Sequence, residues 1–171
     1  MSKRLDTLAE SQTIGMSKLS RELTAKGFDI INLSLGEPDF ITPEHIRTAA
    51  KKAIDDGFTF YPPISGYAEL RTAISEKFRR ENNLDIAPDQ VVVSTGAKQS
   101  IANVVLSLVD PGDEVIIPLP YWVSYIEIVK LAEGVTVSVQ STINTDFKIS
   151  PEQLEKAITP KSKLFIFSSP C

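Results

Sequence analysis

Residues 91–100 read Val-Val-Val-Ser-Thr-Gly-Ala-Lys-Gln-Ser. Three β-branched valines suit an extended segment, and a helical pattern begins just beyond Gly96. A short glycine turn that opens a helix offers two or three backbone N–H groups to an anion, at the positive end of the helix dipole. The triphosphate-binding pattern GxxxxGK[ST] is absent, and so is the dinucleotide fingerprint GxGxxG. A turn this short suits one terminal phosphate. Lys98 either adds a point charge to that pocket or is a solvated first-turn side chain; the turn by itself leaves both open.

A second chemical feature follows the next apolar run. Leu-Pro-Tyr-Trp-Val-Ser-Tyr at 119–125 holds the only tryptophan of the chain. A lone tryptophan is most often core, but Trp122 stands at a strand-to-helix transition, where an aromatic face can stack on a flat heterocycle. Other chemistries find little support. One cysteine excludes a disulfide framework and a multi-cysteine zinc site. His45, the only histidine, has no cluster of ligands around it and reads as structural. Neither a metal-ligand set nor a Ser-His-Asp arrangement is visible. Lys51, Lys52, Lys130 and Lys156 fall on expected helices as solvated side chains.

Positioning these residues requires alternating elements. Residues 16–26 read as a helix stopped by Gly27, and 30–35 as a short extended segment. Thr42 as N-cap, Pro43 at the first helical position and Glu44 behind it open a helix carrying Ile46, Ala49, Ala50, Ala53 and Ile54 at helical spacing, closed by Gly57. Residues 58–66 read as loop. Leu70, Ala73, Ile74 and Phe78 mark a further helix, with Lys77, Arg79 and Arg80 at the end the dipole favours for cations. From residue 90 four apolar runs, 91–94, 114–117, 135–140 and 163–168, alternate with helices. The first of these helices, with Ile101, Val104, Val105 and Leu108 on one side and Ala102, Leu106 and Val109 on another, is expected to bury two faces. Residues 122–132 form the next. Ser150-Pro151-Glu152-Gln153 is a capping-box start for the last. Strands separated by helices imply right-handed βαβ units and a largely parallel sheet, an α/β fold.

Composition bounds the rest. The chain has 171 residues, 42% hydrophobic and 23% charged, with a net charge of −4. That balance is ordinary for a globular protein and argues against nucleic-acid binding. No apolar stretch approaches the roughly 20 residues that span a bilayer, and no signal peptide is visible in MSKRLDTLAE. The expected setting is cytoplasmic. KLFIFSSPC at the end is an apolar strand followed by a turn, so the chain is expected to stop where a functional loop begins.

Five segments, LSLGEPDF (33–40), FYPPISGYAELR (60–71), STGAKQ (94–99), DPGDEVIIPLPYWVSY (110–125) and SSP (168–170), together resemble the class I pyridoxal-phosphate aminotransferases. The bacterial aspartate aminotransferase branch is the most similar. The resemblance runs from about residue 11 to the end, with the motifs in order. It implies a three-layer sandwich with a mostly parallel sheet, incomplete at the C-terminus. Residues 1–44 are then an N-terminal arm contributing to the small domain and the active-site entrance, and 45–171 the first part of the large cofactor-binding domain.

The resemblance also implies roles. The cofactor is pyridoxal 5′-phosphate, its phosphate held by Gly96, Ala97 and Lys98, its ring stacked by Trp122. Tyr61 reaches the phosphate of the neighbouring subunit, so a homodimer with composite sites is expected. Gly36 and Trp122 meet the substrate, an amino acid such as aspartate or its 2-oxo acid partner. The Schiff-base lysine of the family lies beyond Cys171, so no catalytic residue is expected in this chain and the chain alone is expected to be inactive. A β-lyase or cyclopropane-carboxylate synthase of the same fold is the alternative chemistry. A non-catalytic truncated chain that only dimerises is the alternative without chemistry.

Overall fold

The computed structural model describes residues 2–9, 11–34 and 36–169. Among the described residues, α-helices and strands follow in chain order as α1 (Gln12–Ala25), α2 (Glu44–Asp55), α3 (Ala68–Asn82), α4 (Ala97–Leu108), β1 (Glu114–Pro118), α5 (Ser124–Leu131), β2 (Val135–Val139), α6 (Pro151–Ala157) and β3 (Ser162–Phe165). The chain divides into two compact units, one of residues 33–95 and one of residues 1–32 with 96–171.

The larger unit is built on a three-stranded, all-parallel sheet in the order β2-β1-β3. β1 lies at the centre because it is the most apolar strand, with Val115, Ile116 and Ile117 almost wholly buried. Alternation sends Val115 and Ile117 to one face, where they meet Val105 and Val109 from the α4 end and Tyr125, Ile128 and Val129 of α5. Each such fully buried aliphatic side chain contributes about 1.5–3 kcal/mol. Ile116 points the other way, beside Val137 on β2 and Phe165 on β3. From β1 the chain moves outward through α5 to β2, then back past β1 through α6 to β3. Right-handed crossovers in opposite directions must lie on opposite faces of the sheet. That is the physical origin of the third layer. α6 is capped as its sequence demands: the Gln153 amide donates to Ser150 Oγ at 3.2 Å, and the Ser150 amide donates to Gln153 Oε1 at 2.9 Å.

In the smaller unit α2 and α3 precede a 3-10 turn at Pro88–Gln90 and an extended segment. Ser75 Oγ donates to the Ile86 carbonyl at 2.5 Å and Arg71 to the Pro88 carbonyl at 3.1 Å, tying that segment back to α3.

Several expectations need correction. Residues 91–94 are extended but form no strand. The Val93 amide donates to the Ser65 carbonyl at 3.0 Å, and Ser65 lies in a turn that cannot propagate a ladder. In the segment expected to be extended at 30–35, residues 30–34 form no helix or strand, and Leu35 lies outside the described residues. Thr42 does not cap α2: Pro43 occupies the cap and no side chain bonds there. α1 starts four residues early, at Gln12, and α5 starts at Ser124, two residues late. β3 stops at Phe165, although the Ile166 amide still donates to the Ile116 carbonyl at 3.0 Å. α4 buries one face only: Val105 is sealed, while Val104, Leu106 and Leu108 are each about half exposed. On α2, Ile46 and Ile54 are likewise exposed, so helical spacing located the helix without locating a partner for its apolar stripe. Lys130 is half-buried and paired with Glu127 at 2.9 Å, not solvated like Lys51, Lys52 and Lys156.

Candidate functional site

The local backbone at the start of α4 requires glycine. Gly96 has φ +86° and ψ 163°, a conformation open essentially only to glycine, and nothing stands within 4 Å of where its Cβ would be. Gly96 precedes the first turn of α4, and a helix start has no intrahelical acceptor for its first amides. Ala97 and Lys98 occupy this first turn, and the Ser100 amide makes the first intrahelical bond, to Gly96 O at 3.3 Å.

The second wall comes from the carboxyl end of β1. After Pro118 the chain runs through Leu119 and Pro120 to Tyr121 and Trp122, and α5 begins at Ser124. Trp122 is 39% exposed, so part of the residue is open to a ligand. Lys98 Nζ lies 4.8 Å from the centroid of that ring, a cation–π contact between two residues 24 positions apart. Tyr125 meets Trp122 edge to face, with centroids 5.5 Å apart and planes at 89°. The Tyr125 hydroxyl is in turn hydrogen-bonded to Ser168 Oγ at 2.9 Å. Ser168 follows the carboxyl end of β3, so the helix start, the aromatic wall and the Ser168 segment gather along one edge of the parallel sheet. Such edges, where strand order reverses, are where ligands enter open α/β sheets.

Glu127, on α5 beyond Tyr125, fastens the N-terminal segment. Its carboxylate accepts the Ala9 amide at 2.9 Å and the Lys130 ammonium at 2.9 Å. Burial is the largest single influence and pushes its carboxyl up, but the bonds from Lys130 and Ala9, with the Lys130 charge, outweigh it and hold the group below the usual carboxylate range.

The predicted residues thus fall into two sets. Gly96, Ala97, Lys98 and Trp122 lie in the larger unit, where Lys98 and Trp122 touch. Gly36 and Tyr61 lie in the smaller one. Tyr61 is fully exposed in the loop before α3, alongside exposed Phe60 and Ile64. Gly36 has open space around its Cα. His45 is exposed in the first turn of α2. The sequence reading passed over Tyr125 as a site residue. Its position three residues after Trp122, on the same side of a helix start, was the available signal.

The fold is that of the aspartate aminotransferases. The family model for aminotransferase class I and II matches residues 29–171, and the chain belongs to that family. It is 55% identical over 168 residues to an aspartate/prephenate aminotransferase from Cereibacter sphaeroides, covering 96% of this chain and 42% of that one. It is 47% identical over 170 residues to an aspartate aminotransferase from Bacillus subtilis, covering 99% and 43%. Among solved structures, the aspartate aminotransferase from Thermus thermophilus with maleate superposes with a TM-score of 0.94 at 44% identity, covering 96% of this chain and 43% of that one. The chain therefore spans less than half the length of the relatives it matches.

Proposed function

We propose that the protein is an aminotransferase that moves an amino group between aspartate, or a closely similar amino acid, and a 2-oxo acid, with pyridoxal 5′-phosphate as cofactor. The observation that carries this reading is the Lys98 ammonium 4.8 Å from the Trp122 ring centroid, beside a helix opened by Gly96. A cation, the amides of a helix start and a flat aromatic face in one place suit a ligand with a single phosphate and a planar heterocycle. The empty space around Gly96 fits close approach of such a phosphate to backbone.

When bound, pyridoxal phosphate supplies an electron sink for the substrate α-carbon. The work of this chain is to hold and orient. The amides of Ala97 and Lys98 would receive phosphate oxygens, and the Lys98 ammonium would offset their charge. The Trp122 indole would cover one face of the ring and keep water from it. Gly36, with no side chain, would let the substrate α-carboxylate reach backbone. Tyr61 would extend to the phosphate of a second subunit. The exposure of Phe60, Tyr61 and Ile64 supports an interface at this loop in a homodimer with shared sites. Residues 1–44 would serve as the arm toward the small domain and site entrance, and 45–171 as the first part of the cofactor-binding domain, in a cytoplasmic enzyme. Among the described residues no helix is long and apolar enough to cross a membrane. The 171 residues alone would carry no turnover, because the motif match gives Lys98 a phosphate-binding role and no other lysine a catalytic one.

The test is titration of the full-length protein with pyridoxal phosphate, followed by transfer from aspartate to 2-oxoglutarate. Saturable binding, weakened at least tenfold in Lys98→Ala and Trp122→Leu, is expected. Equal affinity in both variants and the parent protein would overturn the assignment of this edge.

A further inference from the structure

Trp122 and the segment after β3 belong to different parts of the chain, and one side chain touches both. Tyr125 is 9% exposed. Its ring packs edge-on against the Trp122 indole at 5.5 Å, and its hydroxyl bonds Ser168 Oγ at 2.9 Å across 43 residues of sequence. A tyrosine needed only for packing could be a phenylalanine. Here the part-buried hydroxyl has a partner, the Ser168 hydroxyl, on an irregular segment beyond the last ladder contact. The ring is also held at its base, because the Tyr125 amide donates to the Trp122 carbonyl at 3.0 Å. Tyr125 therefore cannot follow a shift of Ser168 without tilting against the indole. The indole also carries the Lys98 ammonium at 4.8 Å, so the line of contacts runs from Ser168 to the start of α4.

We infer that Tyr125 is a positioning residue that couples the Ser168–Ser169 segment to the orientation of the Trp122 indole. A displacement of that segment is transmitted through the phenol to the aromatic wall of the candidate site. The coupling itself stands on the contacts; its effect on cofactor affinity rests on the proposed function.

The test is a double-mutant cycle in the full-length protein labelled with 5-fluorotryptophan, with the Trp122 signal assigned by its loss in Trp122→Phe. Ser168→Ala is expected to move or broaden the Trp122 fluorine resonance through the Tyr125 ring. Ser168→Thr keeps a hydroxyl and is expected to leave the resonance in place. In a Tyr125→Phe background, which keeps the ring and its packing, Ser168→Ala should no longer move it. Pyridoxal phosphate titrations run in parallel. Ser168→Ala should weaken binding roughly two- to tenfold, the range one intramolecular hydrogen bond carries, and this loss should vanish in Tyr125→Phe. A resonance that moves equally in both backgrounds, or in neither, overturns the inference. A cycle that closes as expected in a protein without cofactor affinity supports the coupling and removes the proposed function instead.

Discussion

Replacing Gly96 with alanine tests whether the start of α4 is built for an anion or is merely a turn. At φ +86° and ψ 163° an added Cβ meets no atom within 4 Å, so no clash contributes. The cost is backbone strain alone, about 1–3 kcal/mol for a non-glycine residue in this region. The protein can accept that strain, or relieve it by rotating Gly96 back and turning the first amides of α4 aside. Gly112 provides the comparison. It too has a positive φ, +87°, with nothing within 4 Å of its Cβ position, but it sits in the turn before β1, at the opposite end of that strand from Trp122. Both alanine variants should lower the urea midpoint of the full-length protein, by roughly 0.5–1.5 M for a denaturant slope near 2 kcal/mol/M. Only Gly96→Ala should also weaken pyridoxal phosphate binding, by tenfold or more, since loss of one hydrogen bond to a charged group is worth about 1.5–3 kcal/mol. Urea unfolding followed by circular dichroism and cofactor titration by absorbance read the two effects separately. Equal loss of cofactor affinity in the two variants would refute the reasoning. So would a Gly96→Ala protein that keeps full affinity.

Trp122→Leu should reduce cofactor affinity more than stability, because the 39% exposed indole contributes less to the core than sealed Val105 or Val129; titration beside urea unfolding checks this. Mixing a Tyr61→Phe protein with one lacking its cofactor lysine should restore part of the activity in heterodimers, and subunit-mixing assays that recover nothing would count against a shared site. Because the Glu127 carboxyl is held below its ordinary value, its tether to Ala9 is fully present above about pH 4.5 and is lost as pH falls through the lower folded-state value. Protection of the Ala9 amide, measured against its intrinsic exchange rate at each pH, should fall over that acid range, and Glu127→Gln should abolish this pH dependence. Residues 1–171 prepared alone should show no amino-group transfer from aspartate; measurable turnover would point to a catalytic lysine within them.

Much of this protein is legible residue by residue. The valine and isoleucines of β1 and the alternation of strands with helices pointed to a parallel sheet, because right-handed crossovers leave little choice, and the family resemblance implied the third layer. Local chemistry was equally plain at Ser150–Gln153, where both halves of the capping box form. The glycine at position 96 and the tryptophan at 122 marked themselves by type, since few residues tolerate a left-handed turn and few offer so large a flat face. Tertiary structure decided what those signals could not reach. The Val91–Val93 run has the composition of a strand, yet its one ladder-like bond ends on Ser65, so extension never became a sheet. Apolar spacing located α2 and α4, but burial depends on what faces a stripe, and neither Ile54 nor Val104 has such a cover. The contacts of Lys98 with Trp122 and of Tyr125 with Ser168 join residues 24 and 43 positions apart. No periodicity reports them, because they arise only when segments distant in sequence end along the same edge.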